Sequence, residues 1–138
     1  MTTEKYFLTK TLYFRYNIHS EIGEIDEKNY SIISLFSNAY YNYHIFCCVN
    51  ERAGNERISC KKKDSHLFRN YIKQKVNDKN IKNVRVNQSG CLDKCEAGPV
   101  IVIYPQGIWY KCENFKDADD IVDSLITGET VQHLQINN

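Results

Sequence analysis

Residues 89–104 read Ser89-Gly90-Cys91-Leu92-Asp93-Lys94-Cys95-Glu96-Ala97-Gly98-Pro99-Val100-Ile101-Val102-Ile103-Tyr104. The first eleven form a loop with two cysteines separated by three residues; the last five form an unbroken apolar run. A run of that kind suits a central strand covered on both faces. A cysteine-bearing loop that leads into such a strand places reactive sulfur at the edge of a sheet, and the flanking sequence identifies the sheet.

Downstream, Pro105-Gln106-Gly107 is a turn and Ile108-Trp109-Tyr110 returns as the second arm of a hairpin. A helix follows. Asp117, Asp119 and Asp120 crowd its first turns, where the helix dipole favours negative charge. Phe115, Ala118, Ile121, Val122, Leu125 and Ile126 supply its buried stripe, and Gly128 stops it.

Upstream, Val84-Arg85-Val86-Asn87 reads as a short strand. Before it, Leu67, Phe68, Tyr71, Ile72 and Val76 recur at helical spacing, with Asp64 or Ser65 as the acceptor for the first free N–H groups. Residues 50–59 are polar and contain Gly54 and Asn55, as a loop does. Tyr43-His44-Ile45-Phe46-Cys47-Cys48-Val49 is compact and apolar, as a buried strand is. The order is β-α-β-loop-β-β-α, an α/β arrangement with two covering helices on a small mixed sheet.

Four of the six cysteines fall at the ends of these elements: Cys48, Cys60, Cys91 and Cys95, spaced C-x11-C-x30-C-x3-C. Loops at the carboxyl ends of parallel strands meet on one edge of a sheet. If the first two strands are parallel neighbours, these four thiols converge. Four thiolates bind an iron–sulfur cluster or zinc. Structural zinc commonly uses two short knuckles; with one tight pair here, the spacing leans toward a larger cofactor but leaves zinc open. Cys91-x3-Cys95 is not the C-x-x-C of a thiol oxidoreductase, and no nucleophile–base pair, phosphate loop or carboxylate constellation suggests an enzyme.

The segments His44-Ile45-Phe46-Cys47-Cys48, Ser59-Cys60, Ser89-Gly90-Cys91-Leu92-x-x-Cys95-Glu96-x-Gly98-Pro99 and Tyr104-Pro105-x-Gly107-x-Trp109-Tyr110 occur in that order. Together, over about residues 42–136, they closely resemble the thioredoxin-like [2Fe-2S] ferredoxins of bacteria, relatives of the thioredoxin-like iron–sulfur subunit of NADH:quinone oxidoreductase. The resemblance implies a thioredoxin-like fold and a [2Fe-2S] cluster held by Cys48, Cys60, Cys91 and Cys95. It also implies one-electron transfer to redox partner proteins and a homodimer. A redox-silent zinc-binding or interaction module on the same fold is the alternative.

Other residues have plainer roles. Cys47 neighbours Cys48 on a strand, so it points to the opposite face as a small buried hydrophobe; acting as a substitute ligand requires a register slip. Cys112 is read as an incidental thiol, and His44 as a hydrogen-bonded core or edge histidine. Trp109 and Tyr110 are packing or dimer-contact residues. Gly90 and Gly98 give the ligand loop access to positive φ and let backbone N–H groups approach sulfur. Pro99 stands where thioredoxin-like folds often hold a cis-proline. Lys61, Lys62, Lys63 and Lys94 adjoin ligand positions. They are either solvated surface or a positive field that favours the reduced cluster and steers an acidic partner.

Composition narrows the class. The 138 residues carry 18 basic and 17 acidic side chains, a net +1 that argues against nucleic acid as the main partner. No run approaches the roughly 18 apolar residues of a membrane span. The first thirty residues lack the apolar stretch of a secretory signal, so a cytoplasmic location is expected. Residues 1–40 contain no cysteine or proline and are expected to be an N-terminal extension to a domain at 41–138. Within the extension, Leu12, Phe14, Tyr16 and Ile18 alternate as in a half-buried strand, and 32–36 is a second apolar stretch.

Overall fold

The computed structural model describes residues 39–54 and 56–137. The strand expected at Leu12–Ile18 and the apolar stretch at 32–36 lie outside them. The chain divides between Asn42 and Tyr43, and every element below belongs to the second unit, Tyr43–Asn138.

That unit follows the expected order. Strand β1 is Tyr43–Cys48, and a 3-10 turn at Lys61–Lys63 leads into helix α1, Ser65–Asp78. Strand β2 is Val84–Ser89, a second 3-10 turn covers Cys95–Ala97, and β3 is Val100–Tyr104. Strand β4 is Ile108–Lys111, followed by α2 at Phe115–Thr127 and a last 3-10 turn at Gln132–Leu134.

The four strands lie in the order β2-β1-β3-β4. The β1–β2 pair is parallel, with Ile45 opposite Val86 and Cys48 opposite Ser89. The other two pairs are antiparallel, with Ile45 opposite Ile103 and Ile101 opposite Tyr110. Because side chains alternate along a strand, Ile45, Cys47, Val86, Ile101, Ile103 and Tyr110 share one face. Phe68, Ile72 and Val76 of α1 and Ala118, Ile121, Val122 and Leu125 of α2 bury that face. Cys48 and Val100 belong to a separate small cluster with Cys60, against which Leu92, Trp109 and Ile136 pack. Cys47 and Cys48 therefore part company as the strand period requires.

Three residues expected on the buried stripes are not buried. Leu67 is 45% exposed, Phe115 47% and Ile126 60%. Helix α1 buries the narrow row Ser65, Phe68, Ile72 and Val76, and Leu67 lies about 100° around the helix from Phe68. Phe115 sits at the first position of α2. Its ring meets those of Phe68 at 5.4 Å and Tyr71 at 4.9 Å, across the α1–α2 contact. Ile126 lies in the final turn, past Leu125, the last buried residue of the helix.

The helix starts also differ from expectation. Asp64 precedes α1 with a left-handed φ of 62° and makes no side-chain cap. The 3-10 turn imposes this: Asp64 N–H bonds back to the Lys61 carbonyl, while the Asp64 carbonyl accepts from Leu67 N–H. At α2 the cap is Asn114, whose Oδ1 accepts from Asp117 N–H at 2.9 Å. Asp117 reciprocates by accepting from Glu113 N–H at 2.8 Å, so its carboxylate satisfies a backbone donor as well as the dipole. Gly128 closes the helix at φ 75°, its N–H on the Ser124 carbonyl at 2.8 Å.

Candidate metal centre

Parallel pairing of β1 and β2 does what convergence of the four cysteines required. Cys48 ends β1 directly opposite Ser89, which ends β2, and Val49 N–H continues the ladder to the Ser89 carbonyl at 3.1 Å. Two residues beyond Ser89 the chain reaches Cys91, so the Cys91–Cys95 loop begins at the sheet edge where β1 ends. Cys60 stands just before the Lys61–Lys63 turn. Cys48, Cys60 and Cys95 are buried, whereas Cys91 is exposed.

The sulfurs meet in pairs. Cys91 Sγ and Cys95 Sγ are 3.5 Å apart, far beyond the ~2.05 Å of a disulfide. Two thiolates held at about 2.3 Å by one tetrahedral metal stand about 3.8 Å from each other, so the pair suits a shared metal. Cys60 and Cys48 are both buried and pack together in one small cluster with Val100. Among the described residues, no three His, Cys, Asp or Glu side chains converge on a point that suits a single ion.

Space is as restricted as the sulfur positions. A Cβ placed on Gly98 would lie 2.7 Å from Cys60 Sγ and 3.3 Å from the Cys95 carbonyl oxygen. Gly98 is thus needed for close approach; its φ is an ordinary −77°. The positive-φ residue of the loop is Asp93, at φ 59°, and neither Gly90 nor Gly98 is left-handed. Asp93 tolerates that conformation and directs its N–H to Cys91 Sγ at 3.3 Å. The Gly98–Pro99 peptide is cis, as is Tyr104–Pro105.

Electrostatics divide the thiols. Cys91 is held below the usual thiol range, first by the Asp93 N–H and then by the Cys95 thiol and Arg52. Burial pushes Cys60 up to about 11, against the pull of the Val100 N–H. Cys91 is thus the exposed, anion-favouring thiol of the four.

The 50–59 loop, read from sequence only as a polar connection, supplies two arginines to this centre. Arg52 donates through Nη1 to Cys95 Sγ and through Nη2 to Cys91 Sγ, both at 3.0 Å. Arg57 spans the same loop: its Nε and Nη2 donate to Glu96 at 2.6 and 3.0 Å, and its Nη1 donates to Asp93 at 2.6 Å. Arg57 holds the Glu96 carboxyl down at about 2. The only sequence signal for either arginine was its position between two ligand cysteines.

The lysines are committed elsewhere. Lys63 Nζ donates to the Cys95 and Gly98 carbonyls at 3.1 and 2.9 Å, bracing the ligand loop through its backbone. Lys61 pairs with Glu51 at 2.6 Å, and Lys62 donates to the Gly54 carbonyl at 3.1 Å. The remaining candidates are packing residues. Tyr110 is buried and its hydroxyl accepts from Val131 N–H at 3.1 Å. Trp109 packs on the Cys48–Cys60–Val100 cluster. Cys47 and Cys112 lie in the main core beneath the helices. The His44 ring stacks 4.1 Å from that of Phe46.

A four-stranded mixed sheet with paired thiols at the carboxyl ends of its parallel strands defines a thioredoxin-like domain with a thiolate metal centre. Comparison with known proteins is specific. The chain is 35% identical over 97 residues to a [2Fe-2S] ferredoxin of Clostridium pasteurianum, matching 68% of this chain and 95% of the relative. It is 34% identical over 98 residues to a [2Fe-2S] ferredoxin of Aquifex aeolicus, matching 68% of this chain and 88% of that one. The crystal structure of the thioredoxin-like [2Fe-2S] ferredoxin from Aquifex aeolicus superposes with a TM-score of 0.65 at 32% identity, covering 72% of this chain and all of the other. No family model matches the chain. The chain belongs to the thioredoxin-like [2Fe-2S] ferredoxin family.

Proposed function

We propose that this protein is a one-electron carrier with a single [2Fe-2S] cluster on Cys48, Cys60, Cys91 and Cys95. The observation that carries the assignment is the pairing of these sulfurs at one sheet edge, with Cys91 and Cys95 separated by 3.5 Å. Bound there, the cluster supplies a one-electron couple. The chain's own work is to hold four thiolates, to bury three of them and to leave Cys91 at the surface, where a partner can approach. Its relatives are ferredoxins, which carry electrons and are not enzymes.

The reading includes a homodimer, exchange of electrons with redox partner proteins, and a cytoplasmic setting in which the thiols stay reduced. Residues 1–40 are an extension to the cluster-bearing domain at 41–138. No helix among the described residues is long and apolar enough to cross a membrane.

Anaerobic purification followed by visible absorption and iron and sulfide analysis tests the assignment. Two irons and two sulfides per chain, with visible bands that bleach on dithionite, are expected. Single Cys→Ala changes at the four ligand positions should each lower cluster content, while Cys47→Ala and Cys112→Ala should not. A colourless wild-type protein with one zinc would overturn it. Sedimentation equilibrium tests the dimer.

A further inference from the structure

The Arg52 guanidinium is the only side-chain cation that donates to cysteine sulfur among the hydrogen bonds of the described residues. It uses both arms at once. Nη1 reaches Cys95 Sγ and Nη2 reaches Cys91 Sγ, each at 3.0 Å, and these are the two sulfurs 3.5 Å apart. Guanidinium is planar, presents its N–H groups in a fixed fork, and does not lose its proton in proteins. A lysine ammonium would place a point charge at one sulfur and could not span the pair.

The surrounding contacts hold the fork in place. The loop that carries Arg52 is pinned where Lys61 N–H bonds the Asn50 carbonyl at 3.1 Å and where Lys61 pairs with Glu51 at 2.6 Å. Five residues on, Arg57 engages Asp93 and Glu96, which stand beside Cys91 and Cys95. Arg57 is therefore occupied with carboxylates and leaves the sulfurs to Arg52.

We propose that Arg52 is the positioning residue that sets the reduction potential of this centre. It clamps Cys91 and Cys95 as a pair for one metal, and it raises the potential by donating two charge-assisted hydrogen bonds to their sulfurs. The proposal rests on the [2Fe-2S] assignment above. Four thiolates around a 2+ core make an oxidised site of charge 2−. One electron from a low-potential one-electron donor makes it 3−, with no bond broken and no proton required. Hydrogen bonds from a cation strengthen as the acceptor becomes more negative, so the Arg52 fork favours the reduced state. The lysine run beside Cys60 was the sequence's candidate for this effect, but its tails go to Glu51 and to backbone carbonyls.

The test is an anaerobic potentiometric titration of the full-length holoprotein with dithionite, on wild type, Arg52→Gln, Arg52→Lys and Lys62→Gln. Arg52→Gln should lower the equilibrium constant for reduction about tenfold, a shift of about 59 mV to more negative potential for one electron. Arg52→Lys keeps the charge without the fork and should fall between wild type and Arg52→Gln. Lys62→Gln removes a nearby charge that donates to the Gly54 carbonyl and should move the potential by less than a third as much. An Arg52→Gln protein with full cluster content and wild-type potential would overturn the proposal, as would a Lys62→Gln shift of equal size. Should Arg52→Gln hold no cluster, Arg52→Lys carries the test, and a wild-type potential there overturns the role of the fork. A wild-type protein without the chromophore fails the ferredoxin assignment itself, which is a separate and visible outcome.

Discussion

Gly98 stands so close to Cys60 that a methyl group on its Cα would come within 2.7 Å of the Cys60 sulfur. Carbon and sulfur do not approach that closely without bonding, and Cys60 is 1% exposed, so its sulfur has little room to withdraw. The conformation of Gly98 at φ −77° suits any residue. Space, and not backbone freedom, makes this position glycine. Gly98→Ala is expected to destabilise the fold by about 1–3 kcal/mol, the usual range for overpacking. It should also lower iron and sulfide content, because the Cys60 sulfur must leave its place. Thermal melting with iron analysis checks both effects, and a fully loaded Gly98→Ala protein of unchanged stability would count against the crowding argument.

Lys63 braces the ligand loop through backbone carbonyls. Lys63→Met removes the donor to the Cys95 and Gly98 carbonyls while keeping most of the aliphatic length. The expected loss is about 1–2 kcal/mol of stability, with faster release of iron to a chelator. Lys62→Met, which removes a donor to the exposed Gly54 carbonyl, should stay within about 0.5 kcal/mol of wild type. Chemical denaturation and chelator kinetics on the pair separate a brace from general surface charge.

Cys112 provides the pH dependence. Burial pushes its thiol up to about 12 from the usual 9, with Asp117 adding to the shift. Below pH 9 both folded and unfolded chains keep the proton, so this contribution to stability is fully present. Above it the unfolded chain loses the proton first, and stability falls as the pH rises toward 12. Cys112→Ala should flatten that alkaline decline while leaving cluster content unchanged. Urea midpoints at pH 8 and pH 10 for both proteins would measure it, and an equal alkaline loss in the variant would refute the assignment. In the folded protein Cys112 should also resist alkylation at pH 8.

Asn114 is expected to matter for helix α2. Asn114→Ala removes the acceptor for Asp117 N–H and should cost about 1 kcal/mol. Asn114→Asp should restore most of it. Asn114 meets the Cys112 thiol only through its backbone carbonyl, which both changes keep, so the visible spectrum should be that of the wild type.

The elements were legible because local periodicity carries them. The alternation of β1 separates Cys47 from Cys48; the β-branched run 100–103 marks an interior strand; Gly128 ends α2 at a left-handed φ, as a glycine after an apolar stripe suggests. Leu67, Phe115 and Ile126 were misplaced for a common reason. An apolar residue marks a possible core face, but where the partner surface ends is decided by packing. Asp64 was misread because a 3-10 turn, invisible in the pattern of residue types, takes over the helix start.

Arg52 and Arg57 were illegible in a stricter sense. Arg52 meets Cys95 and Cys91 across 43 and 39 positions of chain, and nothing in the 50–59 loop has a period that points to them. Sequence alone determined which thiols end the strands, because strand termini and turns follow from short-range preferences. Only the tertiary structure decided how those thiols pair, that Gly98 is held by the Cys60 sulfur, and that an arginine instead of the lysine run reaches the Cys91 and Cys95 sulfurs. Pairing, crowding and hydrogen bonding to sulfur depend on distances between segments that meet only when the sheet closes. Such distances are set by the parallel register of β1 and β2 and by packing, which no local pattern encodes.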